Sequence, residues 1–376
     1  MLTSLGLVAL LLILSSCDTN KMPAQLEEKS VTVTDAMSRS VEVPALVERV
    51  ICSGAGCLRY LIYLRAGERA VAVEDIERQQ SAFDARPYAL AHPELKQLPL
   101  FGEFRGHDNP ELIVALDTPP QVIFKTYSSM GLDPAELQAA TGIPVVVHDY
   151  GDITRQREEI YASLRRMGQI LGREGRAEEV ISFFNETITD LHERAKDIGE
   201  RRSCYITGIA SRGPHGMQST EPLYPPFHLT HTPNVASVQE KGLDQPRHAD
   251  LAKEKIVETD PEVLFIDLST LQSGSEANAL YQLCNEAAYH SLSVLRTGEV
   301  YGVLPYNWYT QNHGSTLANA YFVGKILYPE RFADIDPAKK ADEIYTFLVG
   351  KPVFKEMNAA FNGMAFARLP VKNDAP

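Results

Sequence analysis

Residues 175–198, GRAEEVISFFNETITDLHERAKDI, place Ala177, Val180, Ile181, Phe184, Ile188, Leu191, Ala195 and Ile198 at spacings of three and four. One apolar stripe of that length predicts an amphipathic helix of about 23 residues, roughly 35 Å long at 1.5 Å per residue. It stands between two stretches that each alternate β-rich and helical runs. A rod of that length can cross from one α/β layer to another, and as the only crossing it makes a stiff connector. The chain is therefore expected to fold as two lobes about a helical spine.

Before the rod, ERVICS (48–53) reads as a strand and GCLRYLIYLRAG as a helix ended by Gly67. RAVAVED (69–75) reads as a strand, NPELIVALD as a short helix with Pro110 in its first turn, and QVIFKTY (121–127) as a strand. DPAELQAATG reads as a helix ended by Gly142, and IPVVVHDYG as a further strand. After the rod come strand SCYITGIA (203–210), helix HADLAKEKIVETD, strand PEVLFIDLS (261–269) and strand EVYGVLP (299–305). A faint repeat links the halves, ELIVALDTPPQVIF (111–124) against EKIVETDPEVLF (254–265). The expected fold class is α/β, two Rossmann-like lobes joined by a long rigid α-helix. Its bounds are 31–152 for the first lobe, 153–198 for the helical connector and 199–376 for the second lobe.

The start of the chain is read as processed. LGLVALLLILSSC is an apolar run of signal-peptide length, too short for a comfortable membrane span. LILSSC resembles a bacterial lipobox, which makes residues 1–16 a signal peptide, Cys17 the lipidated residue and 17–30 a polar tether. MLTSLG carries no Lys or Arg, a departure from the usual basic start. A formal charge of −13 makes nucleic acid an unsuitable partner. Of five cysteines, Cys52, Cys57, Cys204 and Cys284 remain after Cys17. Three pairings are possible in an oxidising compartment, or all four stay reduced.

In doubly wound sheets ligands sit beyond the carboxyl ends of strands. That rule gives Ser53, Gly54 and Cys57 after the first strand, where backbone N–H groups before a helix could hold an anion. It gives Tyr127 after strand 121–126, and Arg212, His215, Ser219, Thr220 and Tyr224 after strand 203–210. After strand 299–304 it gives Tyr306, Trp308 and Tyr309, in a stretch that holds the only tryptophan of the chain. Aromatic rings there would offer stacking area to a planar ligand while Asn307, Gln311 and Asn312 fix its orientation. Arg59, Arg105, Lys125 and Arg212 are the basic residues best placed to meet ligand carboxylates. No nucleophile elbow, Walker loop, HExxH or dinucleotide fingerprint occurs, so an enzyme is not expected.

VTVTDAMSRSVEVPALVERVICSGAGCLRYLI, NPELIVALDTPPQVIF, the long helix and the second α/β half together resemble a periplasmic binding protein of bacterial ABC importers. The same order of elements is more closely similar to the class that carries iron–siderophore, haem or corrinoid complexes, and LPYNWYTQN and ILYPERFADIDPAKKADEIYTFLVGKPVF resemble one subgroup of iron-complex binders. The resemblance implies a lipid-anchored, exported carrier that binds an iron or cobalt chelate between its lobes, with no intrinsic cofactor. It delivers that cargo to a permease driven by a separate ATPase. It also implies acidic contacts to the permease, for which Glu94, Glu103 and Glu240 are candidates by position. The alternatives are a binding protein for a free metal ion or small metal chelate, or a non-transport metalloprotein or enzyme of similar bilobal fold.

Overall fold

The computed structural model describes residues 29–79, 83–237 and 246–371; Cys17 and Glu240 lie outside them. Two three-stranded parallel sheets organise the chain. The first runs β1 (Val50–Ser53), β2 (Val122–Thr126), β3 (Val145–His148), in that order across the sheet. Every residue of these strands is buried, as a parallel sheet covered on both faces requires. A smaller sheet of Val73–Glu74, Leu100–Glu103 and His107–Asp108 stands beside it. The second main sheet is β4 (Cys204–Thr207), β5 (Val263–Asp267) and β6 (Val300–Val303), with β5 central.

The rod is α3, Glu174–Ala195. Its buried face is the stripe read from the sequence plus Thr187, while Ile198 lies past the helix end. The helix stops at Ala195 because Lys196 is extended and Asp197 has φ 56°. It is preceded by α2 (Arg157–Leu171), and the two form a hairpin turned at Gly172. Several predicted elements shrink; the helix expected from HADLAKEKIVETD keeps only Lys253–Thr259, because Ala249–Asp250 pairs as a strand with Ser219–Thr220. The helix expected to reach Gly67 is α1 (Cys57–Tyr63). It ends in a Schellman turn, with the Ala66 amide on Leu61 O (3.1 Å) and Arg65 left-handed at φ 52°. The strand expected over 69–75 keeps only Val73–Glu74, with Ala70 bridged to Val50.

One continuous apolar core joins the lobes. It contains Phe124 and Val146 of the first sheet, Ile206 and Phe265 of the second, and the α3 stripe between them. Two further helices belong to it, α4 (His313–Leu327) and α5 (Pro337–Val349). The opposite faces of the sheets have separate clusters around Ile51 and Ile123, and around Leu264 and Ile266. Among the described residues no disulfide forms. Burial pushes the Cys57 thiol well up, helped by its hydrogen bond with Cys52. No helix of the described residues is long and apolar enough to cross a membrane.

Candidate functional site

A cleft of about 290 Å³ opens between the lobes. The first lobe contributes Ala55, Ile76, Phe104 and Arg105; the second contributes Ala210, Arg212, Gly213, Pro214, Ser269, Gln272 and the run Asn307–Thr310. These positions follow the carboxyl ends of strands, where the parallel sheets free their loops. Two glycines make the first loop possible. At Gly54 (φ 88°) a Cβ would lie 2.5 Å from Thr126 O, and at Gly56 (φ 81°) 2.1 Å from the Tyr150 ring.

Backbone strain collects around this cleft. Arg105 (φ 64°), Tyr127 (52°), Arg212 (57°), Tyr309 (50°) and Thr310 (59°) are all left-handed. Each such non-glycine residue costs about 1 kcal/mol or more, and such conformers concentrate where a fixed geometry serves binding. Arg105 lies over the Phe104 ring with Cζ 5.1 Å from its centroid. Among the described residues neither Arg105 nor Arg212 enters an ion pair, and none of those lining the cleft is a carboxylate. Two cations from opposite lobes therefore face one small space, neither with an ion-pair partner among the described residues.

The loop after β6 is a tight turn in which Asn307 bridges Gln311. Asn312 holds it from inside, its amide donating to the carbonyls of Tyr306 (3.1 Å) and Trp308 (3.1 Å). The other lobe grips the same loop. The Arg59 guanidinium donates to the carbonyls of Gln311 (2.8 Å), Tyr309 (3.2 Å) and Trp308 (3.4 Å), and to the Tyr150 hydroxyl. Tyr150 donates in turn to Gln311 O at 2.7 Å, and the Tyr127 and Thr310 hydroxyls pair at 2.6 Å. The Tyr309 hydroxyl donates to Glu74 and accepts the Arg105 amide at 2.8 Å. Desolvation raises Glu74 to about 7.

The remaining sequence candidates sit behind this surface. Ser53 is buried and receives a bond from Lys125, whose ammonium is neutralised by Asp108 at 2.5 Å. The Gly54 amide, expected to be open to an anion, donates instead to Glu74 at 3.0 Å. Cys57 is fully buried. Tyr306, expected to face the cleft, is buried with its hydroxyl on Glu221 and its ring edge-on to Tyr224 at 5.6 Å. Tyr224 accepts from the Asn319 amide at 3.2 Å. Thr220 donates to Ile206 O at 2.6 Å. Ser219 pairs with His248 at 2.8 Å, but its proton is committed to Ile209 O at 2.6 Å, so the pair is no nucleophile and base. His215 is bonded to Ser211 O at 2.7 Å. Thus Arg212, Trp308 and Tyr309 meet at the cleft, Tyr127 borders it through Thr310, and Arg105 joins them.

The sequence reading passed over Glu74, Phe104 and Gln272. Glu74 stood at the end of a predicted strand, so the carboxyl-end rule applied there would have found it. Glu94 and Glu103 are both exposed; Glu94 is bonded to His92 at 2.8 Å, while Glu103 precedes the cleft residue Phe104. Among the described residues no group of three His, Cys, Asp or Glu side chains is arranged to hold a metal ion.

The fold and cleft have relatives. The molybdate-binding protein MolA of Haemophilus influenzae is 20% identical over 341 residues, 83% of this chain and 89% of its own length. Its molybdate-bound crystal structure superposes with a TM-score of 0.61 at 19% identity, covering 85% of this chain and 98% of that one. A periplasmic solute binding protein of Veillonella parvula gives a TM-score of 0.68 at 16% identity, over 89% and 97% of the two chains. The nickel–histidine complex of Helicobacter pylori CeuE gives 0.56 at 16% identity, over 87% and 99%. All share the two-lobed, class III arrangement seen here. A family model described as periplasmic binding protein matches residues 58–305. With the model covering most of the chain and the interlobe cleft in place, the protein belongs to the periplasmic binding protein family, the exported solute-binding components of ABC transporters.

Proposed function

We propose that the solute is a compact anionic metal species, an oxyanion or a small anionic chelate of a metal such as iron. Arg105 and Arg212 would take its negative groups from opposite lobes while Trp308 and Tyr309 cover its faces. The observation that carries this reading is a pair of guanidinium groups, each without an ion-pair partner among the described residues, in a cleft whose described lining holds no carboxylate. Arginine suits the role because its planar fork matches carboxylate-like and oxyanion geometry. The volume, about 290 Å³, sits at the low end of ligand pockets, which favours a compact solute over a porphyrin or corrin ring. That MolA is named for molybdate and that the CeuE structure holds nickel with histidine is in keeping with small, metal-containing cargo.

Calorimetric titration of the purified chain with molybdate, tungstate and ferric citrate tests the reading. At least one should bind, and Arg105→Ala or Arg212→Ala should weaken it about 10- to 100-fold, the worth of one charge-assisted hydrogen bond. Binding should also weaken as salt is raised. Affinity for a neutral or cationic complex, unmoved by either substitution, would overturn it.

A further inference from the structure

Tyr309 does more than offer a ring to the cleft. It belongs to the loop that follows β6, yet its hydroxyl is spent entirely on the opposite lobe. It donates to one oxygen of Glu74 and accepts the backbone amide of Arg105 at 2.8 Å. The other oxygen of Glu74 accepts the amides of Gly54 (3.0 Å) and Gly106 (2.8 Å). One buried carboxylate thus ties together the loop after β1, the turn carrying Arg105 and the tip of the loop from the second lobe. Arg105 and Tyr309, joined by this bond, are both held left-handed, a conformation that persists only where surrounding contacts impose it.

We propose that Tyr309 and Glu74 form an interlobe latch, positioning residues that hold the two lobes together and set the backbone from which Arg105 reaches the cleft. The inference deepens the reading of Arg105 as an anion ligand, but the latch itself stands on contacts that need no solute. Arg59 pins the same loop by its carbonyls, so the two devices are distinct: one grips the backbone of the loop, the other its side-chain tip.

The test uses the solute-free full chain, so its failure strikes the latch alone, whereas failure to bind any anion strikes the functional reading alone. Tyr309→Phe keeps the ring and removes only the hydroxyl. Hydrogen exchange of the Arg105 amide should then accelerate about tenfold, the factor expected for loss of one hydrogen bond of ordinary strength, with the Gly54 and Gly106 amides changing less because Glu74 is retained. Trp308, the only tryptophan and a neighbour of Tyr309 in the cleft wall, gives a second readout. Its quenching by iodide should increase in Tyr309→Phe and stay unchanged in Tyr281→Phe, an exposed site away from the cleft. Unchanged Arg105 exchange together with unchanged quenching would overturn the latch; a change in both supports it even where the melting temperature is unaltered.

Discussion

Lys125 and Arg212 look equivalent in the sequence, each a basic residue just after or within a strand, and the structure gives them opposite fates. Lys125 is fully buried, with its ammonium 2.5 Å from Asp108 and 3.0 Å from Gly106 O. Arg212 is left in the cleft with no carboxylate partner among the described residues. What separates them is a partner 17 residues away, beyond the helix Pro110–Val114, which no local pattern encodes. Arg59 is a stronger case, since its acceptors stand some 250 residues away at Trp308 to Gln311. Removing one member of a buried ion pair leaves the other charged and without compensation. Lys125→Ala should therefore lower the free energy of unfolding by about 3–5 kcal/mol in urea titration. A loss below about 1 kcal/mol, the size of a surface pair, would show that the pair is solvated.

Elements were legible in proportion to how far their own periodicity determines them. The stripe of α3 could be read because a helix half against a core must repeat near 3.6. The burial of Val180, Phe184, Ile188 and Leu191 follows that repeat. The parallel strands were legible as apolar runs of four or five, with ends uncertain by a residue or two. By contrast, α4 is buried almost all round and has no polar face to betray its orientation. The loop of residues 306–312 follows no period at all; its shape depends on Asn312 and on a guanidinium from the other lobe. A prediction belongs to α3. Phe184→Ala opens a void where the spine meets Tyr63 and His313, and should cost about 3–5 kcal/mol of stability, measured by urea unfolding. Glu186→Ala, two residues on and exposed, should stay within about 0.5 kcal/mol.

At the scale of the whole molecule, the bilobal plan was legible because a long rod between two α/β runs admits few other arrangements. The contacts that close the lobes on each other were not, since they pair Glu74 with Tyr309 and Arg59 with a turn far along the chain. Burial also gives the molecule an uneven acid–base balance. Desolvation raises Glu74 and Asp267 to about 7 and lowers His148 and His313 to about 3. A carboxyl raised in this way holds its proton more tightly when folded. Its contribution to stability is complete below the unfolded value, 4.5 for Glu74, and is lost as pH rises through about 7. The histidines act in the opposite sense, stabilising above 6.5 and less as pH falls toward 3. Glu74→Gln isolates one component. The unfolding free energy of the parent minus that of the variant should fall by about 1.4 kcal/mol per unit between roughly pH 5 and 6.5. A flat or rising difference would mean that Glu74 is already ionised there.

The shared interior has a consequence for how such carriers can diversify. Because side chains of both sheets and the spine interlock in one mass, neither half is a cassette. Splicing this front half onto a sister protein's back half would bring together surfaces shaped for other neighbours. New cargo preferences are then more readily acquired by altering the turns at the mouth than by trading whole halves.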